Sequence, residues 1–189
     1  KIINVVETVL IDFNDDIVNS LKKVGSKAVS LHTKKDNVIE IIPEQKELGF
    51  VGIPNKIDTE TIFEKLKNNM IPIISPLGLG ENKQTYNING DHAAGAVEKS
   101  LKSRRLLLMT NVEGVLNREK KLISEINSSK IIEMIEDKTI TEGMIPKINT
   151  CLDAVKNDVT AVGIIDGRKP RSVLFELFSD RGSGTLIRK

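Results

Sequence analysis

Apolar residues at the start of the chain recur at helical spacing. Ile2, Ile3, Val5, Val6, Val9 and Leu10 predict a helix over 1–10, and a second helical pattern spans 14–24, closed by Gly25 as its C-cap. The chain begins at Lys1, already inside this pattern, which reads as a processed start or as the loss of an upstream portion. Two β-branched runs, 27–32 and 37–42, flank the polar 33–36 and predict a hairpin. Asp58 heads a helix over 58–69 whose stripe is Ile62, Phe63 and Leu66. The run 71–75 predicts a fully buried strand, and 76–84, with Gly78 and Gly80, a loop.

The second half continues the alternation. Small residues from Ala93 to Ala96 give a helix face that can lie close to another backbone. A buried strand over 106–110 leads into a turn at 111–114, and Ser128 or Ser129 starts a helix to about Glu136. Pro146 fits the first turn of a helix running to about Lys156. Residues 159–165 predict a buried strand ending at Asp166-Gly167, followed by a helix over 171–178 and a short strand over 184–188. Buried strands joined by helices predict an α/β fold, a three-layer αβα sandwich with a mainly parallel sheet. Ligands in such sheets gather beyond the carboxyl ends of the strands, which points to loops 78–84, 111–114 and 166–168.

Composition narrows the function. Hydrophobic residues make up 39% and charged residues 29%, an ordinary globular balance. Lys and Arg total 28 against 26 Asp and Glu and are scattered, so the concentrated basic face of a nucleic-acid binder is missing. Aromatic content of 3% argues against base-stacking platforms. No apolar run is long enough to span a bilayer, and no signal peptide is recognisable. The single Cys151 sits in an amphipathic helical pattern and reads as a core thiol in a reducing compartment.

Two short stretches carry the chemistry. If 87–91 is extended, Asn87, Asn89 and Asp91 share one face while Tyr86 and Ile88 share the other. Asp91 opens a helix, where a carboxylate serves either as an N-cap or as part of a site. Lys147 lies in the first turn of its helix, where the macrodipole disfavours a cation; it is either solvated or offset by a bound polyanion. Gly143 just upstream would let the backbone approach an anion. Gly78-Leu79-Gly80 lacks the third glycine of a dinucleotide fingerprint, and neither a P-loop nor a GxSxG elbow is present. His32 and His92 have no metal-ligand context, so no metal-binding residue is assigned, and Asp166 and Asp180 read as ordinary loop residues.

With these residues in hand, the chain resembles the acetylglutamate kinases of the amino-acid kinase family. The segment 86–91 followed by Ala93-Ala94-Gly95 resembles that family's Asn-x-Asn-Ala-Asp motif, and LLMTNVEGVL at 107–116 its nucleotide-side strand and turn. TITEGMIPK at 139–147, IIDGR at 164–168 and ELFSDRGSGT at 176–185 continue the match, as do 49–52 and 72–78. The resemblance implies transfer of the γ-phosphoryl group of ATP to the side-chain carboxylate of N-acetyl-L-glutamate, in arginine biosynthesis. It implies a remainder of an amino-acid-binding lobe over 1–85 and a nucleotide-binding lobe over 86–189. Asn87 and Asn89 would bind substrate, Lys147 would stabilise the transferring phosphoryl group, and Asp91 would orient lysines. Asn111, Val112, Gly114, Val115, Leu116, Thr139, Ile140 and Thr141 would border the nucleotide, with Mg²⁺ bridging its phosphates.

Glu176 and Gly182 match a feedback site for arginine, although Gly163 stands where arginine-sensitive members often carry histidine. Gly90, Asn111 and Ser30 replace the family's usual alanine, aspartate and glycine. The family's Lys-x-Gly-Gly segment, a later Gly-Gly pair and a substrate-binding arginine have no counterpart, so the chain reads as N-terminally truncated. The resemblance further implies a homo-oligomer (dimer or hexamer), a PII-type nitrogen-signalling partner, and a cytoplasmic or plastid-stroma location. The competing readings are an inactive nucleotide-binding or regulatory fragment, and another amino-acid kinase acting on carbamate or UMP.

Overall fold

The computed structural model describes residues 2–140, 143–157, 159–180 and 182–189. It is an α/β chain that divides into two compact units, Lys1–Ala96 and Val97–Lys189.

The first unit opens with one continuous helix, α1 (Ile2–Lys23), where the sequence predicts two. No glycine or proline interrupts it, and the polar Asn14 at the expected break is buried, its amide donating to the Ile73 carbonyl at 2.9 Å. Gly25 ends the helix with φ of 87°, letting Gly25 N–H and Ser26 N–H turn back to Lys22 O and Leu21 O. The expected hairpin does not form. β1 (Ala28–Leu31) instead pairs in parallel with β4 (Ile71–Ile74), and residues 32–35 close a tight turn. β2 (Ile39–Pro43) leaves for a separate mixed sheet in the order β3 (Gly52–Ile57), β2, β5 (Leu77–Leu79), β6 (Thr85–Asn87).

The 71–75 run is not fully buried, since Ile71 remains 45% exposed at the start of β4. β5 occupies part of the predicted loop. There Gly78 serves close strand packing, because a Cβ would stand 2.4 Å from Ile41 Cγ2 and 2.8 Å from Ile39 O. α2 (Thr59–Lys67) is capped as expected, with Asp58 accepting from Thr61 N–H at 3.1 Å. α1 packs on β1, β4 and β6, and α2 packs on β4.

α3 (Gly90–Leu101) spans the division between units. The second unit builds one mixed sheet in the order β7 (Arg105–Thr110), β9 (Ala161–Asp166), β10 (Thr185–Arg188), β8 (Glu125–Asn127). β9 runs parallel to β7 and antiparallel to β10, which is parallel to β8. Every β9 residue is buried, as expected of a strand covered on both faces, and α5 (Ile145–Lys156) and α6 (Ser172–Phe178) both pack on it. β7 alternates instead, with Leu106 and Leu108 inward and Met109 53% exposed. α4 (Ser128–Glu136) starts at Asn127, whose side chain accepts from Lys130 N–H at 2.8 Å, and it packs on β8. Cys151 is buried in α5.

Candidate functional site

In the first unit, Asn87 ends β6, half-buried, with its N–H donating to Phe50 O at 2.9 Å. The extended backbone stops there. Ile88 turns inward at 2% exposure, and α3 starts two residues later, so the predicted alternation does not reach Asn89 and Asp91. Asn89 is the cap. Its side-chain oxygen accepts the N–H groups of Asp91 and His92 at 2.9 and 3.3 Å, while its carbonyl accepts from Ala93 N–H. Asp91 therefore sits one position inside the first turn, half-buried, where the helix N-terminus favours a negative charge.

In the second unit, loops at the carboxyl ends of β7 and β9 come together. Gly167 N–H donates to Thr110 O at 2.8 Å, and Lys169 Nζ reaches Glu113 Oε1 at 2.6 Å. Asp166, which the sequence reading treats as an ordinary loop residue, is instead the buried last residue of β9. Arg168 grips it with two side-chain N–H donors at 2.9 and 3.0 Å and with its backbone N–H at 2.9 Å. Those bonds hold the Asp166 carboxyl down at about 2.

The loop after β7 bounds a cavity of about 490 Å³. Val112, Gly114, Val115, Leu116, Thr139 and Ile140 all line it. Asn111 is not among the lining residues, and Thr141 lies outside the described residues. Thr185 of β10 fixes this loop: its hydroxyl accepts from Val115 N–H at 2.8 Å and donates to Ile123 O at 2.7 Å. Gly114, with φ of 146°, is required there, since a Cβ would fall 2.5 Å from the Thr185 hydroxyl. Arg118, Lys120, Asp137, Lys138 and Met144 complete the lining; Met144 lies in the 139–147 motif, and sequence reading missed the other four. The tight hairpin at 117–121 was the available signal: Asn117 Oδ1 accepts from Glu119 and Lys121 N–H, and Lys120 takes a φ of 59°.

Met144, which lines this cavity, is also the N-cap residue of α5 and offers no side-chain cap. Lys147 lies half-buried in the first turn of that helix, so its charge stands at the helix end that attracts anions. Lys147 belongs to the second unit; Asn87, Asn89 and Asp91 belong to the first.

Glu176 and Gly182 sit together beside a separate cavity of about 690 Å³, which Arg105, Glu125 and Arg188 also line. The Glu176 carboxylate is buried and accepts from Ser183 N–H at 2.9 Å. Gly182 makes room for it, since a Cβ there would stand 2.8 Å from its Oε2, whereas a Cβ at Gly163 would meet the Leu107 side chain at 2.7 Å. Among the described residues, no group of three or more His, Cys, Asp and Glu side chains could hold a metal ion. Among them, too, no helix is long and apolar enough to cross a membrane.

Known proteins share this architecture. The sequence is 54% identical over 187 residues to an acetylglutamate kinase of Pelagibacter ubique (strain HTCC1062), covering 99% of this chain and 65% of that protein. It is 46% identical over 187 residues to an acetylglutamate kinase of Jannaschia sp. (strain CCS1), covering 98% of this chain and 66% of the relative. The crystal structure of smu.665 from Streptococcus mutans UA159 matches with a TM-score of 0.77 at 32% identity, over 92% of this chain and 66% of that one. The chain thus spans about 65% of the length of the first of these curated relatives. The sequence model of the amino acid kinase family matches residues 6–166, reaching into both units and through the loop after β7, and the chain belongs to that family.

Proposed function

We propose that the protein transfers the γ-phosphoryl group of ATP to the side-chain carboxylate of N-acetyl-L-glutamate, giving an acyl phosphate in arginine biosynthesis. The observation that most supports this is the cavity of the second unit. Its lining joins the Val112–Leu116 loop to Thr139, Ile140 and Met144, the N-cap residue of α5. Relatives at 54% and 46% identity that carry the acetylglutamate kinase name support the choice of acceptor.

In this reading the apolar side of the cavity takes the nucleoside. Lys147 and the N–H groups of α5 meet the phosphates and stabilise the charge that spreads over the transferring group. Asp91 orients cationic groups around the phosphates; it is no general base, because a carboxylate acceptor carries no proton to remove. Asn87 holds the acceptor's polar groups from the end of β6. Asn89 serves the acceptor chiefly by fixing the start of α3, since its side-chain oxygen is already engaged. Asn111 and Thr141 are assigned to the nucleotide's border by resemblance alone.

Mg²⁺ is assigned to the nucleotide's phosphates, whose charge it would help neutralise. The cavity of Glu176 and Gly182 is the proposed arginine site. A homo-oligomer, a PII-type partner and a cytoplasmic setting complete the proposal.

A substrate panel with ATP tests it. Turnover of N-acetyl-L-glutamate with no turnover of carbamate or UMP is the expected result; preference for either of the others would overturn the acceptor, and nucleotide binding without any turnover would overturn the activity.

A further inference from the structure

Two cavities of the second unit share a wall. One is the cavity of about 490 Å³ bounded by Val115, Leu116 and Ile140; the other, about 370 Å³, reaches Ile123, Lys130 and Met134. Asn117, Arg118, Asp137 and Thr139 line both. Arg118 holds this wall together. Its Nη2 donates to Asp137 Oδ2 at 2.8 Å and its Nε to Thr139 Oγ1 at 3.3 Å. Asp137 Oδ1 accepts from the Thr139 N–H at 2.9 Å and from its hydroxyl at 2.5 Å. The guanidinium thereby ties the 117–121 hairpin to the turn that follows α4.

Stability of the fold does not explain this arrangement. The Arg118 side chain is 72% exposed, and exposed ion pairs of this kind add little to folding. The cavity is what the wall changes. The guanidinium lines both spaces, so its removal is expected to join them.

Charge indicates which part of a nucleotide meets the wall. Thr139's hydrogen bonds keep the Asp137 carboxyl below its ordinary range, so it stays ionised, and Arg118 is already paired to it. A phosphate gains nothing from such a pair. A flat, uncharged base suits it, because a guanidinium face stacks on aromatic rings while Val115, Leu116 and Ile140 supply apolar contact. The anion-favouring start of α5, at Met144, remains for the phosphates.

Resting on the nucleotide reading above, we propose that Arg118, latched by Asp137 and Thr139, is the specificity-determining wall at the base end of this cavity, limiting it to an unsubstituted purine. Specificity of this kind arises from excluding the larger competitor rather than from tighter contact with the correct ligand.

Calorimetric titration of the protein with ATP and with N6-benzyl-ATP tests the wall. The protein is expected to prefer ATP by about tenfold or more, and Arg118→Ala to shrink that ratio to about threefold or less by gaining the analogue. Arg118→Lys should fall between them. Thr139→Val, which keeps Arg118 and its Asp137 partner but removes the Thr139 hydroxyl that both engage, should move the ratio part of the way in the same direction and decides the matter if Arg118→Ala does not fold. Thermal midpoints should stay within a few degrees in all three. An unchanged ratio in variants that still bind ATP overturns the wall alone. Failure of the unsubstituted protein to bind ATP overturns the wall and the nucleotide reading together.

Discussion

The Asn89 side-chain oxygen accepts the backbone N–H of Asp91 at 2.9 Å, so the residue that caps α3 is not the carboxylate but the amide two positions before it. Asp91 itself lies in the helical first turn, where the dipole steadies its charge. Asn89→Ala is therefore expected to lower stability by about 1 kcal/mol, while Asn89→Asp and Asn89→Ser retain most of it. Urea denaturation of the three variants checks this; an alanine variant as stable as the parent would remove the cap from the account.

Glu98 is a second expected outcome. It is 4% exposed in α3, and among the described residues neither of its carboxylate oxygens has a hydrogen-bond partner. Burial, and then the nearby charge of Asp153, push its carboxyl above the ordinary 4.5. The folded state therefore holds its proton more tightly than the unfolded chain does. The resulting stabilisation is complete below the unfolded value and is lost as pH rises through the higher folded one. Glu98→Met should then raise stability at pH 7 by about 1 kcal/mol and flatten the loss that sets in as pH rises above 4.5. Thermal unfolding across that range would show it, and an unchanged pH slope would contradict it.

Asp166 has the opposite sign. Arg168 holds its carboxyl at about 2 against the ordinary 3.8, so its contribution is present above 3.8 and disappears as pH falls toward 2. Asp166→Asn is expected to be less stable than the parent at pH 6 and to lose less on acidification from pH 4 to 2. Equal acid limbs for the two proteins would count against the Arg168 grip.

Two glycines should respond in opposite directions. At Gly184 an added Cβ would stand 1.9 Å from the Ile164 carbonyl, between paired β9 and β10, and Gly184→Ala should destabilise by about 3 kcal/mol. At Gly90, the first residue of α3, nothing lies within 4 Å and no positive φ is required. Gly90→Ala should stabilise by about 0.5 kcal/mol through the unfolded chain's lost freedom. Denaturant midpoints measured for both decide each separately.

What the sequence reveals is what is local. The cap at Asp58, the glycine stop at Gly25 and Pro146 in the first turn of α5 depend on neighbours within a few residues, and each is found where the chain chemistry puts it. The strand pairings are not local. Ala28–Leu31 and the following run are both β-branched, but the partner that covers β1 is Ile71–Ile74, a helix and three further elements away. Gly78 looks like loop punctuation because glycine serves both turns and close strand packing, and only the Ile41 side chain across the sheet decides between them. At the candidate site the apolar lining from Val112 to Leu116 is readable from its motif. Thr185, whose hydroxyl pins that loop from another strand, carries no local signal, and for Arg118 the local turn chemistry of 117–121 does not reveal its bonds to the distant Asp137 and Thr139.

The central claim is that Lys147 stabilises a phosphoryl group on its way from ATP to the side-chain carboxylate of N-acetyl-L-glutamate. Trapping the acyl phosphate with hydroxylamine, for the protein and its Lys147→Ala variant at saturating ATP, tests it most directly. The account predicts an ATP-dependent hydroxamate that falls by about 10²–10³-fold in the variant. A variant that forms hydroxamate at the parent's rate would contradict it.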